Sequence, residues 1–273
     1  MNHLCLDHSD LAGLSARPLH GVELDFVDDL DAMIVALARA DGAEVWRFAP
    51  LIAMSTLQRA GYCDSFPQHV TVPVPMTQSR EAAVDCAHQP HALAPAACLP
   101  LYDAIAGTDR DGRLLITTSN TCWRHERHYA VHRRQWAFTM REVVCIGTDG
   151  DVRSFLNAWR GHLATIARLL GLNVSLMAAS DPFFGPGDTK AFYQTLAGAK
   201  TELTVGDDLA IASLNNHRHH FANAFDIRVA GNTASTGCVA FGLDRWLAAM
   251  NERHGTDAAA WPAVPGPQQV LEA

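Results

Sequence analysis

Two arginine-bearing stretches more than a hundred residues apart constrain this chain more than any other feature. Trp123-Arg124-His125-Glu126 leads through a polar run into Arg134-Gln135-Trp136-Ala137-Phe138-Thr139-Met140-Arg141-Glu142, the pattern of a strand, a short loop and a return strand. Gly237-Cys238-Val239-Ala240-Phe241-Gly242-Leu243-Asp244-Arg245 has the pattern of a glycine-bearing strand that runs into a helix, with Arg245 at the junction. Each alone has an ordinary explanation. An Arg-x-Glu on a strand is usually a solvated charge pair worth under about 1 kcal/mol, and Phe-Gly-Leu-Asp-Arg-Trp can simply start a helix with a buried aromatic.

Size leaves room for one large core. The 273 residues, 48% hydrophobic and 18% charged, suit a single catalytic domain rather than several modules. A net charge of -8 argues against a broad nucleic-acid surface, which needs clustered Lys and Arg, and Lys190 and Lys200 are the only lysines. No apolar run approaches the roughly 18 residues that span a bilayer. Residues 1–7 lack the basic start and apolar stretch of an export signal, so the expectation is a cytoplasmic protein without a membrane partner. Seven cysteines, an odd number without close pairs, predict reduced thiols.

Periodicity divides the chain into a leader at 1–20, a catalytic domain at 21–254 and a weakly ordered Ala- and Pro-rich tail at 255–273. Leu24, Val27, Leu30, Met33, Ile34 and Leu37 predict a helix over Val22–Ala40. Phe155, Trp159, Leu163, Ile166 and Leu169 or Leu170 predict another over 151–172, closed by Gly171. Residues 46–50 and 61–68 read as strand-to-turn segments. Residues 181–187 read as a loop, followed by a short helix through Phe192, Tyr193 and Leu196 and a strand at 201–205.

Taken together and in this order, the two arginine stretches resemble motifs 2 and 3 of the class II aminoacyl-tRNA synthetases. The resemblance implies an α+β fold, an antiparallel sheet flanked by helices. It also implies the chemistry of amino-acid activation, in which a carboxylate attacks the α-phosphate of ATP and negative charge gathers on the phosphoryl oxygens. Arginines placed from opposite sides stabilise that charge through forked hydrogen bonds. By resemblance, Arg124 holds the α-phosphate and the reacting carboxylate, Arg245 holds the γ-phosphate end, and Glu126 faces the adenine or the substrate amine.

Cys98, Glu142 and Cys238 are far apart in sequence and show no CxxC-type spacing, so by spacing alone they read as buried free thiols and a strand-end acid. Inside the two motifs they resemble the Cys/Glu/Cys zinc site of the atypical seryl-tRNA synthetases and of their truncated relatives, the amino acid:[carrier protein] ligases. Three protein ligands leave a fourth tetrahedral position for the substrate α-amine. Cys122 and Cys145 read as packing residues, and His217 and His220 as site-lining or surface residues.

The ligase resemblance runs through Gly61-Tyr62, Ser65-Phe66-Pro67-Gln68, Asp181-Pro182-Phe183-Phe184-Gly185, Lys200-Thr201-Glu202-Leu203 and Ala212-Ser213-Leu214-Asn215-Asn216-His217. It implies nucleotide contacts from Glu202 and Ser213 and substrate contacts from Lys200, Asn215 and Asn216. The related Glu-x-x-Ser element binds magnesium. This chain keeps Ser213 but has Ala210 in place of the Glu, so Mg2+ would ride on ATP phosphates and water. Ala240 likewise stands where motif 3 has a glycine. The implied function is activation of a small amino acid, glycine or alanine, with ATP, and transfer to the phosphopantetheine thiol of a carrier protein by a homodimer. The carrier is expected to dock near residues 183–200. The acidic balance and the lack of a tRNA-binding arm argue against tRNA. An adenylate former with another acceptor and a non-catalytic paralogue are the competing readings.

Overall fold

The computed structural model describes residues 18–74, 89–126, 128–178, 200–206 and 208–273. The expected leader up to residue 17, the 181–187 loop and the helix through Phe192, Tyr193 and Leu196 lie outside the described residues. Among those described, the helices are α1 Val22–Ala40, α2 Met54–Arg59, α3 Tyr62–Ser65, α4 Leu99–Ala104, α5 Asp149–Leu169, α6 His220–Phe225, α7 Leu243–His254 and α8 Pro267–Leu271. The strands are β1 Glu44–Arg47, β2 Leu51–Ala53, β3 His91–Leu93, β4 Asp109–Arg110, β5 Leu114–Trp123, β6 Ala137–Gly147, β7 Val174–Ala178, β8 Lys200–Val205, β9 Leu209–Arg218, β10 Arg228–Val229, β11 Asn232–Thr233 and β12 Ser235–Gly242.

Seven strands form one sheet in the order β1-β5-β6-β12-β9-β8-β7. Five of the six neighbouring pairs are antiparallel, as the motifs predict. The edge pair β1 and β5 is parallel, which makes the sheet mixed. The long excursion from β1 through α2, α3 and α4 supplies the crossover that a parallel partner requires.

Side chains alternate across a strand, so each strand serves two layers. On one face Val143, Cys145, Leu214, Val239 and Phe241 pack beneath α1, α5 and α7, where Leu30, Ile34, Trp159, Leu163, Trp246 and Leu247 complete a single core. Fully burying each such large side chain contributes about 1.5–3 kcal/mol. On the other face Ile116, Val144 and Cys238 meet Leu101 and Tyr102 of α4 and Phe221 and Phe225 of α6. Among the described residues, the second face is covered by short helices and straps.

The helix-face layer is pinned by Arg141 on β6, whose guanidinium makes two bonds of 2.7 and 2.6 Å to the Asp31 carboxylate on α1. Helix α1 has the expected limits, although Phe26 rather than Leu24 turns inward. Helix α5 starts at Asp149, two residues earlier than its apolar pattern, because Thr148 and Asp151 form a reciprocal capping box. It closes at Gly171, whose φ of +68° suits the left-handed position past the helix end.

Two expectations change. Residues 61–68 are a turn, helix α3 and a 3-10 turn at Pro67–His69 rather than strand. Gly61 adopts φ 70° and Pro67 stops the helix, so local backbone chemistry overrides the aromatic, strand-like composition. The C-terminal segment is packed instead of weakly ordered. Val270 on α8 is buried in the helix-face core, and Trp261 meets Phe26 edge-on with ring centroids 5.5 Å apart. Apolar side chains at 261, 264 and 270 pack it onto the core despite the Ala- and Pro-rich composition.

Candidate active site

Strand register assembles the site. Thr118, Glu142, Ala240, Ser213 and Glu202 lie directly opposite one another across β5, β6, β12, β9 and β8. The adjacent row on the same face runs Ile116, Val144, Cys238, Asn215 and Lys200. Directly opposed residues share a face, so Glu142, Cys238, Ser213, Asn215, Glu202 and Lys200 all project toward the face away from α1, α5 and α7. Cys98 approaches that face from the N-terminal end of α4.

The Cys98, Glu142 and Cys238 ligand atoms lie within 4.8 Å of one another, and all three residues are buried. The carboxylate is anchored, since Glu142 Oε1 accepts from the Ala97 amide at 2.9 Å. The Cys238 sulfur accepts from the Asn215 side-chain amide at 3.3 Å. The Cys98 thiol is pushed well above its ordinary range by its hydrogen bond to Cys238, then by burial and the Glu142 charge. The hydrogen bond from Cys98 opposes the same trend at Cys238, but burial and Glu142 still raise it. Two soft sulfurs and one carboxylate, dry and crowded with potential negative charge, fit zinc better than magnesium or calcium and leave a fourth position open.

The arginines form the second half. Arg124 follows directly after β5. Its Nε donates to the Pro95 carbonyl at 2.9 Å, its Nη2 lies 3.7 Å from Met140 Sδ, and its guanidinium sits 5.2 Å over the Phe138 ring. Arg245 lies in the first turn of α7, where its Nε donates to Arg133 O at 2.8 Å and its Nη1 to Ala210 O at 3.0 Å. Burial lowers the Arg245 pKa most, and the like charges of Arg124 and Arg134 lower it further, partly offset by Glu202 and Glu126. A desolvated cation at a helix N-terminus opposes the helix dipole, and it stands among other cations. Such an arrangement receives an anion by charge-assisted hydrogen bonds.

Glu126 accepts from Arg134 at 2.9 Å and lies 3.9 Å from His69 Nε2, while its carbonyl accepts from the Trp136 indole at 3.0 Å. Arg134 opens the return-strand run of the first motif, and its pairing with Glu126 emerges only when the hairpin is folded. Lys200 pairs with Glu202 at 2.7 Å on the site face, so it lines the site. The rest of the expected docking segment lies outside the described residues.

Asn215 donates to both Ser213 Oγ at 3.0 Å and Cys238 Sγ, and its Oδ1 is buried with no hydrogen-bond partner among the described residues. Asn216 is not brought in. It pairs with Gly237 on the opposite face, and its Oδ1 accepts from the Arg218 amide at 3.0 Å. His217 is buried beside Cys238, whereas His220 turns away to the Ala60 carbonyl at 3.0 Å. Cys122 and Cys145 are buried free thiols, as expected of packing residues, with Cys145 pushed up to about 12 by burial. One strap joins both halves: Pro95 O binds Arg124, Ala97 N binds Glu142, and Cys98 follows.

No helix among the described residues is long and apolar enough to cross a membrane. No family model matches the chain. It is 38% identical over 256 residues to amino acid–[acyl-carrier-protein] ligase 1 of Bradyrhizobium diazoefficiens, covering 85% of this chain and 78% of that protein. Ligase 2 of the same organism is 35% identical over 255 residues, covering 85% and 76%. Among solved structures, M. kandleri seryl-tRNA synthetase, crystallised with A. aeolicus tRNASec, superposes with a TM-score of 0.76 at 20% identity. That match covers 97% of this chain but 59% of the synthetase, so the chain spans about three fifths of that protein and shares its catalytic-core fold. On the ligase identities and their coverage, the chain belongs to the amino acid–[acyl-carrier-protein] ligase family.

Proposed function

We propose that this protein is a zinc-dependent ligase that activates a small amino acid, glycine or alanine, with ATP and passes the aminoacyl group to the phosphopantetheine thiol of a carrier protein. One observation carries the reading. The Cys98, Glu142 and Cys238 cluster and Arg124 are joined by the strap at 94–98, and the buried Arg245 guanidinium at the start of α7 feels the charges of Arg124, Glu202 and Glu126.

In the first half-reaction a carboxylate oxygen of the amino acid bonds to the α-phosphorus of ATP, and pyrophosphate leaves with the electron pair of the broken P–O bond. Arg124 is positioned to bind the α-phosphate and the attacking carboxylate, and Arg245 the departing phosphates. Because both guanidiniums are held by main-chain carbonyls, little reorganisation is needed as charge develops. Glu126, fixed by Arg134, is available to the adenine or the substrate amine. Zinc held by Cys98, Glu142 and Cys238 would supply a Lewis-acid position for a neutral α-amine. Glu202 and Ser213 offer magnesium only two oxygen-bearing side chains, so the ion's remaining ligands would be phosphates and water. In the second half-reaction the carrier's sulfur bonds to the acyl carbon, AMP leaves, and the thiol proton is released.

Ala240 sits in the same row as Glu142 and Ser213, and its methyl narrows the site floor relative to a glycine. This favours a small, compact set of ligands. The test is amino-acid-dependent ATP–pyrophosphate exchange with zinc-replete protein across the twenty amino acids, followed by an acceptor panel of phosphopantetheinylated carrier protein, the unmodified carrier and tRNA. Exchange confined to glycine or alanine, with transfer only to the modified carrier, is the expected result. Exchange with no amino acid overturns the catalytic reading, and transfer to tRNA redirects the acceptor. A homodimer accompanies this reading and is checked by sedimentation.

A further inference from the structure

We infer that His217 is a positioning residue for the Cys238 thiolate, donating Nε2–H to the sulfur while Tyr102 and Thr236 fix the ring's tautomer from the other side. The inference rests on the zinc reading above and assigns a role to a residue that the two arginine motifs do not contain.

The geometry begins with the backbone. Thr236 pairs with Arg218 and Gly237 with Asn216, so the register of β12 against β9 shifts here and His217 is the extra residue of a bulge. Bulges re-aim a side chain next to a site. His217 is 4% exposed, with Nε2 3.7 Å from Cys238 Sγ. Its Nδ1 is 3.3 Å from the Tyr102 hydroxyl and 3.4 Å from Thr236 Oγ1. Aromatic contacts hold the ring plane: Phe221 lies edge-on at 4.8 Å and itself stacks on Tyr102 at 4.3 Å.

Proton counting sets the roles. A neutral imidazole carries one ring proton, and a thiolate sulfur can only accept. With Cys238 as thiolate, the proton therefore sits on Nε2 and points at sulfur, and the single Nδ1 lone pair accepts from one of the two hydroxyls. With Asn215 donating from another direction, the sulfur receives two N–H···S bonds. These orient it and withdraw charge, as outer-shell partners of metal ligands do, and their loss typically costs 10–100-fold in metal affinity.

The experiment uses the purified full chain, with zinc affinity read by chelator competition and the thiolate-to-metal charge-transfer band read after Co(II) substitution. His217→Phe keeps an aromatic ring but no donor. It should weaken zinc binding by about 10-fold or more and move the charge-transfer band to longer wavelength, because a thiolate without its hydrogen bond is easier to oxidise. His217→Gln, which can return an N–H near the Nε2 position, should recover most of both signals. Tyr102→Phe with Thr236→Val removes the tautomer lock without touching His217, and should give a smaller loss in the same direction. That pair also keeps the inference testable where His217→Phe fails to fold. Wild-type affinity and spectrum in both the Phe variant and the hydroxyl pair overturn the inference, and so does equal weakening in the Phe and Gln variants, which indicates packing alone. A wild-type protein that binds neither zinc nor Co(II) overturns the metal reading itself, and with it this role for His217.

Discussion

At the scale of single residues, the two halves of the site should fail in different ways. Cys98→Ala or Cys238→Ala removes one of the three proposed zinc ligands, and the expected outcome is loss of stoichiometric zinc, measured by metal analysis after gel filtration. Arg245→Ala and Arg124→Ala leave the zinc cluster intact. Each should lower ATP–pyrophosphate exchange by about 10²–10³-fold, the usual effect of deleting one preorganised donor from a developing anion. Arg245→Lys should recover little, because a single ammonium cannot replace a fork whose Nε and Nη1 are held by two different carbonyls. Retention of exchange in the arginine variants would mean that they bind some other anion.

At the scale of elements, the hairpin between β5 and β6 is latched over the α7 junction. Arg133 pairs with Asp208 at 2.7 Å and with Glu252 on α7, and its carbonyl accepts from Arg245. Thr139 N also donates to Asp244 at 2.7 Å. Glu252→Gln combined with Asp208→Asn should loosen the hairpin, raise the KM for ATP several-fold with a smaller change in kcat, and speed tryptic cleavage at Arg133 or Arg134. An unchanged KM and cleavage rate would show that the latch is ornamental. The α5 cap offers a stability test. Hydrogen bonds from Thr148 to the Asp151 carboxylate lower its pKa below the ordinary 3.8. The carboxylate's contribution is therefore fully present above pH 3.8 and is lost as pH falls through the depressed value. Thr148→Ala should cost about 1 kcal/mol at neutral pH, and the difference from wild type should shrink in strong acid, as read by urea melts.

At the scale of the whole molecule, the sheet couples its helix-packed core to its site through a few residues with no room to change. A Cβ on Gly237 would lie 2.7 Å from Val152 Cγ1 and 3.0 Å from Asn215 O, which presses α5 against the strand that carries Asn215. Gly237→Ala should therefore destabilise the fold by about 1–3 kcal/mol and weaken zinc binding as well, measured by thermal melts with and without the metal. A stable variant with full zinc affinity would show that α5 can shift freely.

The elements whose signals are local are legible in the sequence. The limits of α1 follow from a 3.6-residue apolar period, the β5–β6 hairpin and the β12-to-α7 junction from arginine, aromatic and glycine spacing, and the clustering of Cys98, Glu142 and Cys238 from their resemblance to a known ligand set. Which residues meet is set by long-range packing. That Thr118, Glu142, Ala240, Ser213 and Glu202 form one row depends on register across five strands, and that His217 lies against Thr236 and Cys238 depends on how β9 pairs with β12 beside a one-residue bulge, while Asn216 faces away by strand alternation. Neither leaves a trace in composition, because register and bulges are fixed by nonlocal hydrogen bonding and by the burial of a shared face. The docked C-terminal helix has the same explanation: Val270 has no periodic pattern around it, and its burial is supplied by a core assembled from α1 and α5, more than a hundred residues earlier in the chain.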